Sequence, residues 1–261
     1  TDSGFLIFQA DTNRYDNRKF DLFIKLKNDV PSKSVKPYQI NKVNVYPHNV
    51  VGADSVRKDT TRFANKNYIQ DIEFFRPDRL DPFLQIEEGD LYDPIKSKST
   101  SRRLGGIGAY KFVNIEYKEV DSLQNDSLNF LEANIYLSPL NKRALRAEFQ
   151  GVTKSNDFAG PNLALTFANR NLFKGGETLN ISAKAAYEVQ VASNSQAGLT
   201  STEFALGADL IFPRMLTPIK IDDDYFEYSI PKTIISAEAN ILNRSQLYSL
   251  LTFSGSFGYV W

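Results

Sequence analysis

Few residues in this chain have the chemistry of a catalytic or metal-binding site. The 261-residue sequence has no cysteine and a single histidine, His48, which excludes disulfides, thiolate metal sites and a cysteine nucleophile. Zinc chemistry or a Ser-His-Asp triad would have to use His48, and neither a Gly-x-Ser-x-Gly nor a His-Glu-x-x-His motif surrounds it. We therefore predict that the chain is not an enzyme, that it holds no cofactor or metal, and that His48 is an exposed turn residue.

Charge and glycine content also argue against binding of nucleic acid or free phosphate. Lys plus Arg and Asp plus Glu both number 31, so the chain lacks the excess positive charge that neutralises a nucleic-acid backbone. Gly175 and Gly176 are expected to be turn residues, because no Gly-x-x-x-x-Gly-Lys motif surrounds them. A basic group is expected to be a solvated helix face, with contact to anionic lipid or a partner as the alternative: Lys96, Lys98, Arg102 and Arg103.

The strongest pattern in the sequence is strict alternation of apolar and polar residues. From Leu179 to Val191 every second residue is apolar, and the residues between them are polar apart from Ala186. Successive side chains of a strand point to opposite faces, so this run predicts a long strand with one apolar and one polar face. Soluble strands usually have about 5–6 residues. Similar runs recur between Leu145 and Trp261 and predict about six long strands.

Two architectures are compatible with such strands. A transmembrane β-barrel needs about 9–11 residues per strand and presents an apolar outer face. A soluble antiparallel sandwich also alternates. The length of the runs, their succession without helices and the many alanines on the apolar face favour the barrel.

Between residues 37 and 140 the pattern is that of a small α+β unit. A first strand, YQINKVNVYP at 38–47, is followed by a polar insertion at 52–67 and an extended piece at 67–75. After the helical part, two alternating strands at the end of the unit form a hairpin. This order predicts a sheet with two helices on one face.

Two helices are predicted in the middle of this unit. The first starts at Asp78, its expected N-cap, and stops at Gly89. The second runs from about Asp93 to Leu104, with Pro94 in its first turn, and is ended by two glycines. Residues 1–36 hold two short alternating runs that predict a hairpin joined by 13–18, followed by a polar linker at 31–36. A lone hairpin is marginal in water, so we interpret it as the end of a preceding module.

Two segments carry a resemblance to a known family. The first, GDLYDPIKSKSTSRRLGGIGAYKFVNIEY, resembles a POTRA domain. The second, FAGPNLALTFANRNLFKGGETLNISAKAAYEVQ, follows it directly and resembles the start of a bacterial surface-antigen β-barrel. Together they are similar to the BamA/TamA superfamily. The block NRNLFKGGE and the segment LSPLNKRALRAEFQGV look most like the TamA-like (TamL) branch of Bacteroidota, although these residues do not separate it from BamA.

The resemblance implies a fold and a domain plan. The fold is an α+β POTRA domain followed by an antiparallel transmembrane β-barrel, of which only the N-terminal strands are expected in this chain. The expected domains are 1–36, the end of a preceding POTRA-like module; 37–140, a POTRA domain; and 141–261, about six barrel strands. The family's Val-Arg-Gly-Phe/Tyr loop has no counterpart here.

The resemblance also implies where the protein works. It implies assembly of outer-membrane proteins, with client strands adding to the first barrel strand, Arg143 to Thr153, and to a POTRA sheet edge at 40–46 or 129–136. The site residues expected on the barrel strand are Leu145, Arg146, Ala147, Glu148, Phe149 and Gln150. Those expected on the POTRA edge are Ile40, Val43 and Val45.

The implied location is the bacterial outer membrane, with the POTRA portion in the periplasm. The implied partners are unfolded outer-membrane protein clients, outer-membrane lipid, and a periplasmic or lipoprotein partner, but no nucleic acid. Two other functions stay open: a POTRA-barrel secretion or transport pore for one dedicated exported protein, and a soluble β-rich binding domain.

Overall fold

The computed structural model describes residues 2–3, 6–10, 22–26, 36–50, 59–121, 128–155, 157–191, 198–217 and 230–261, the first three ranges by backbone alone. The turn predicted at 13–18 and most of the linker predicted at 31–36 lie outside these residues. Three separate sheets are present in the described part of the chain. Within that part, no helix has the length and apolar character needed to cross a membrane.

The first sheet lies near the N-terminus and is antiparallel. Its strands are β1 (Asp2–Ser3), β2 (Leu6–Ala10) and β3 (Leu22–Leu26), in the order β1-β2-β3. The pairing of β2 with β3 confirms the hairpin predicted within residues 1–36.

The second sheet has five strands and belongs to the α+β unit predicted from the sequence. Its spatial order is β5-β6-β4-β8-β7. Strand β4 runs parallel to both of its neighbours, whereas the two outer pairs are antiparallel. The strands are β4 (Tyr38–Tyr46), β5 (Asp59–Phe63), β6 (Lys66–Gln70), β7 (Tyr110–Glu119) and β8 (Asn129–Pro139).

The segment predicted as a polar insertion contains part of this sheet. Residues 51–58 lie outside the described residues, but β5 follows them and pairs with β6 as a tight hairpin. Its turn, Ala64 and Asn65, has positive φ at both positions, as a two-residue turn between strands requires. Strand β5 is polar and exposed, so it lacks the apolar alternation that predicts a strand.

Two short helical segments and one longer helix follow β6. They are α1 (Pro77–Leu80), a 3-10 turn (Asp81–Phe83) and α2 (Pro94–Gly106). The prediction of Asp78 as an N-cap is wrong: Pro77 occupies the first helical position, Arg76 is the cap, and Asp78 pairs with Arg76 instead. The turn also ends at Phe83, before Gly89.

The longer helix begins as predicted and ends later. The Asp93 carboxylate accepts a hydrogen bond from Ile95 N at 2.7 Å, which caps α2. Gly105 and Gly106 were expected to stop the helix but lie inside it, and Gly108, with φ +81°, follows the C-cap. Leu104 is buried against the sheet, in one core with residues of the central strands.

The core of this unit also holds a buried polar cluster. Lys66, which is almost wholly buried, places Nζ 2.9 Å from Asp81 Oδ1. The Tyr68 hydroxyl donates to the same carboxylate at 3.0 Å. Burial, reinforced by the nearby Asp81 carboxylate, raises the pKa of Tyr68 far above its ordinary value. The cluster ties β6 to the helical turn.

The third sheet confirms the six long strands predicted for residues 141–261. They follow one another in space as in sequence, and every neighbouring pair is antiparallel. The strands are β9 (Arg143–Thr153), β10 (Phe158–Arg170), β11 (Thr178–Gln190), β12 (Thr200–Phe212), β13 (Lys232–Arg244) and β14 (Tyr248–Val260).

The register of this sheet separates apolar from polar residues. One cross-strand row contains Ala147, Leu165, Ala183, Leu206, Ala239 and Phe253. The next row, on the opposite face, contains Glu148, Ala164, Lys184, Ala205, Asn240 and Thr252. Because the strands stay in register, the alternation seen in single strands becomes two continuous faces.

Candidate functional site

The first site residues predicted from the sequence lie at an edge of the six-stranded sheet. Strand β9 pairs with β10 on one side and has no strand on the other within the described residues. A strand edge presents unpaired N–H and C=O groups that can pair with another extended chain. The structure therefore places the predicted strand at an open edge; whether a client pairs there stays a prediction.

The side chains of β9 divide between the two faces of the sheet. Leu145, Ala147 and Phe149 belong to the apolar face, opposite Phe167, Leu165 and Leu163 of β10. The Leu145 and Phe149 residues are 73% and 77% exposed. On the polar face, Arg146 and Glu148 form an ion pair with each other, and Gln150 lies opposite Asn162.

The apolar face is uncovered over all six strands. Large apolar side chains stand exposed on each of them, and no element of the described chain packs over this face. Examples from successive strands are Phe149, Leu163, Ile181, Leu206, Ile241 and Phe253. Soluble monomers rarely expose so large an apolar surface, and such surfaces mark contact with a membrane or a protein.

Ion pairs and hydrogen bonds lie on the polar face. Lys184 Nζ lies 3.2 Å from Glu203 Oε1, which also accepts a hydrogen bond from Asn240. Just after the end of β9, Lys154 Nζ lies 2.6 Å from the buried Glu188. Opposite Glu188, the chain passes so close to Gly160 that a Cβ there would lie 1.9 Å from the Tyr187 carbonyl oxygen.

The second set of predicted site residues is not at an edge, and that prediction is wrong. Ile40, Val43 and Val45 are buried in β4, which lies between β6 and β8. The alternative edge, 129–136, is also interior, between β4 and β7. The physical reason is that two segments occupy the side of β4 that would otherwise be open: β6 pairs with Asn44 and Val45, and residues 89–92 bond to the start of the strand around Ile40. The edges of this sheet are β5 and β7.

The connection between β10 and β11 contacts the α+β unit, which the sequence did not indicate. Asn171 donates from Nδ2 to Phe74 O at 2.6 Å, and Arg76 N donates to Lys174 O at 2.9 Å. Gly176, with φ +83°, packs so closely that a Cβ would lie 2.6 Å from Ile107 Cγ2. Gly175 and Gly176 are therefore turn residues, as predicted, but buried ones.

This contact region also contains a buried ion pair. Glu177 Oε1 lies 2.8 Å from Arg214 Nη2, and its other oxygen accepts from Gly175 N at 2.9 Å. Arg214 belongs to the segment that follows β12, so the pair joins two connections at the end of the sheet that faces the α+β unit. Nothing in the alternation of apolar residues distinguishes Glu177 from a solvated loop acid.

His48 is not the exposed turn residue that the sequence predicted. Its ring Nδ1 lies 2.7 Å from Asp71 Oδ1 and it stacks on Phe74 at 5.3 Å. Desolvation alone would raise the pKa of Asp71, but the His48 hydrogen bond and the backbone amides of Asp71 and Ile72 outweigh it and lower that pKa. The pair joins the segment after β4 to the segment after β6.

The basic group predicted on α2 is partly neutralised. Lys96 Nζ lies 2.6 Å from Asp90 Oδ2, and this hydrogen bond is the main cause that raises the pKa of Lys96. Lys98 and Arg102 remain exposed, whereas Arg103 is half-buried. This agrees with a largely solvated face.

Comparison with known proteins gives similar solved structures, among them the two described below. No protein-family model and no curated protein matches this sequence. The chain is similar to BamA from Haemophilus ducreyi lacking POTRA domains 1–3, with 10% identity, a TM-score of 0.38, and coverage of 97% of this chain and 47% of that one. It is also similar to CdiB from Acinetobacter baumannii, with 8% identity, a TM-score of 0.37, and coverage of 86% and 58%. The chain thus spans about half the length of these structures.

Proposed function

We propose that residues 141–261 form part of a transmembrane β-barrel of the BamA/TamA type in the bacterial outer membrane. The observation that carries this proposal is the continuous apolar face of β9 to β14, which is exposed across strands of up to 13 residues. At about 3.3 Å per residue and a tilt of about 40°, such strands span the ~25–30 Å of a bilayer core. A soluble sandwich would have to cover this face with a second layer.

We propose that residues 37–140 are a POTRA domain on the periplasmic side. The support is topological: β4, helical segments and the hairpin of β7 and β8 follow in this order, with β4 parallel to β8, and the hairpin of β5 and β6 is inserted between β4 and the helices. The contacts of this unit with the connection at 171–177 would hold it against one end of the barrel wall. We propose the TamA-like branch of Bacteroidota as the subgroup because the block NRNLFKGGE and the segment LSPLNKRALRAEFQGV resemble it, although these residues do not separate it from BamA.

We propose that the protein assembles outer-membrane proteins by strand exchange at β9, and that it is not an enzyme. At an open edge, a client strand can pair with the free backbone N–H and C=O groups. Its own apolar side chains would then extend the lipid-facing surface of the sheet. The proposed partners are unfolded outer-membrane proteins, outer-membrane lipid, and a periplasmic or lipoprotein partner that contacts the POTRA domain.

A second candidate is a secretion pore for one exported protein. The observation that favours it is the charged polar face, where pairs such as Lys184 with Glu203 would line an aqueous path. Such a pore would not need client strands to pair with β9.

Disulfide crosslinking separates the two candidates, because the chain has no cysteine of its own. Ala147→Cys at the open edge is expected to crosslink to a cysteine in the terminal strand of an unfolded barrel client. Ala183→Cys is the matched control: the residue lies in the same cross-strand row and on the same face, but its strand is paired on both sides.

The proposal predicts crosslinks to several barrel clients from Ala147→Cys and few from Ala183→Cys. Equal crosslinking from both positions would mean that the open edge is not used. Crosslinks to one soluble exported protein from Ala205→Cys, on the polar face beside Lys184, together with none to barrel clients from Ala147→Cys, would favour the secretion pore.

A further inference from the structure

A groove of about 560 Å³ lies where the α+β unit joins the first strand of the six-stranded sheet. Its lining comes from residues 48–50 after β4, the segment after β6, the start of β7 and residues 138–142, which end β8 and lead into β9. The groove is therefore next to the end of the uncovered apolar face.

The wall of this groove is mainly apolar and its charge is positive. Val50, Ile72 and Phe112 are exposed, and the groove also contacts Phe74. Lys111 and Lys142 line it as well, and no carboxylate does so among the described residues. Of the two acids closest in sequence, Asp71 is hydrogen-bonded to His48, and Glu73 is paired with Lys174 at 2.6 Å.

Among the described residues, no acid pairs with Lys111 and Lys142, which line the groove, or with Arg143 beside them. Lys142 and Arg143 are exposed and form no ion pair among the described residues, and Lys111 lies over the Phe112 ring at 5.1 Å. Arg143 precedes Leu145 by two residues, so it lies on the apolar face of the sheet, at the end of its strand. Long basic side chains at the end of a lipid-facing segment extend to the phosphate level of a bilayer.

We propose that this groove binds an anionic phospholipid of the surrounding leaflet. Lys111 and Lys142 contact the headgroup phosphate, and the Phe112 and Ile72 side chains contact the upper acyl chain. The inference rests on the proposed membrane function, because it requires the apolar face to stand in lipid. It adds a specific lipid site where the first strand meets the α+β unit.

The site can be tested with the full-length protein in nanodiscs of equal phosphatidylglycerol and phosphatidylcholine. Lipid that stays bound after partial delipidation is identified by mass spectrometry. We expect enrichment of phosphatidylglycerol, and an approximately fivefold loss of that enrichment for each lysine removed in Lys111→Gln/Lys142→Gln. The control Lys98→Gln/Lys118→Gln makes the same charge change away from the groove and is expected to keep the enrichment.

Phe112→Ser tests the apolar part of the site without changing charge, and is expected to lower the amount of retained lipid. Inorganic phosphate added at the same concentration is expected not to displace it. Enrichment that survives the double substitution, or displacement by phosphate alone, overturns the lipid site. A protein that does not enter nanodiscs at all would instead overturn the proposed function, so the two failures are distinct.

Discussion

Arg214 and Glu177 form a buried ion pair, with Nη2 and Oε1 2.8 Å apart, where two connections of the six-stranded sheet meet the α+β unit. The Glu177 side chain is 2% exposed and that of Arg214 28% exposed. The carboxylate also accepts from Gly175 N, so it orders the turn in which Gly176 packs against Ile107. The pair therefore fixes the connection that contacts the unit.

Removing this charge should destabilise the contact. Glu177→Gln leaves Arg214 without its anion, and breaking a buried pair costs about 3–5 kcal/mol. We expect a loss of about 3 kcal/mol in the free energy of unfolding, measured by urea titration of the protein in phospholipid vesicles. Glu73→Gln is the control, because its exposed pair with Lys174 should contribute about 0–1 kcal/mol. Equal losses in both variants would show that Glu177 is not buried in the folded protein.

Gly176 should tolerate no side chain. Gly176→Ala would impose a positive φ on alanine and place its Cβ against Ile107 and Pro213, at 2.6 and 2.9 Å. Strain of about 1–2 kcal/mol and overpacking of about 1–3 kcal/mol should add together. Gly105→Ala, in α2 with nothing within 4 Å of the added atom, should instead stabilise by about 0.5–1 kcal/mol. Thermal unfolding of both variants checks the contrast, and a Gly176→Ala protein as stable as wild type would contradict it.

A charged substitution on the apolar face tests whether that face is surrounded by lipid or by water. Leu206→Arg places a cation near the middle of β12, on the exposed apolar face, and should cost about 2–4 kcal/mol if that face lies in a bilayer. Ser236→Arg, on the polar face opposite Asp209, is the control and should cost less than about 1 kcal/mol. Unfolding in vesicles measures both. A Leu206→Arg cost no larger than that of Ser236→Arg would remove the support for a membrane-spanning wall.

The His48–Asp71 pair should make stability depend on acid pH. The folded-state pKa of Asp71 is lowered, so its carboxylate stabilises the fold above the unfolded pKa of about 3.9, and that contribution is lost as pH falls through the folded value. His48→Ala removes the side-chain hydrogen bond and should raise the pKa of Asp71 towards its ordinary value. The loss of stability between neutral pH and pH 2 should then be smaller than in wild type.

Carboxyl titration of Asp71 by NMR measures this directly, together with unfolding at several pH values. His48→Gln retains a hydrogen-bond donor and should give an intermediate pKa. A titration curve of Asp71 that does not change in His48→Ala would show that the backbone amides alone set its pKa.

Alternation in the sequence predicted the six-stranded sheet well, because apolar and polar residues point to opposite faces along every strand. The first strand was placed at Arg143 to Thr153, which are its bounds in the structure. The order of the strands also followed, since consecutive antiparallel strands need only short connections.

The α+β unit was harder to predict because its sheet is not consecutive. Strand β5 is polar and exposed and so gave no periodic signal. Because the β5-β6 hairpin was not predicted, the pairing of β6 with β4 was missed as well, which left β4 at an apparent edge and made the site predicted at Ile40, Val43 and Val45 wrong. Partners distant in sequence, such as His48 with Asp71 and Glu177 with Arg214, cannot be inferred from local pattern at all.

The row from Ala147 to Phe253 alternates small and large side chains from strand to strand over most of its length. Neighbouring strands lie about 4.8 Å apart, so the large side chains of this row stand about 10 Å apart, with an alanine between each pair. The next row on this face, which contains Leu145, Phe167, Ile181 and Ala208, does not repeat this alternation. In a bilayer, the acyl chains would therefore meet separate projections and hollows rather than a smooth wall.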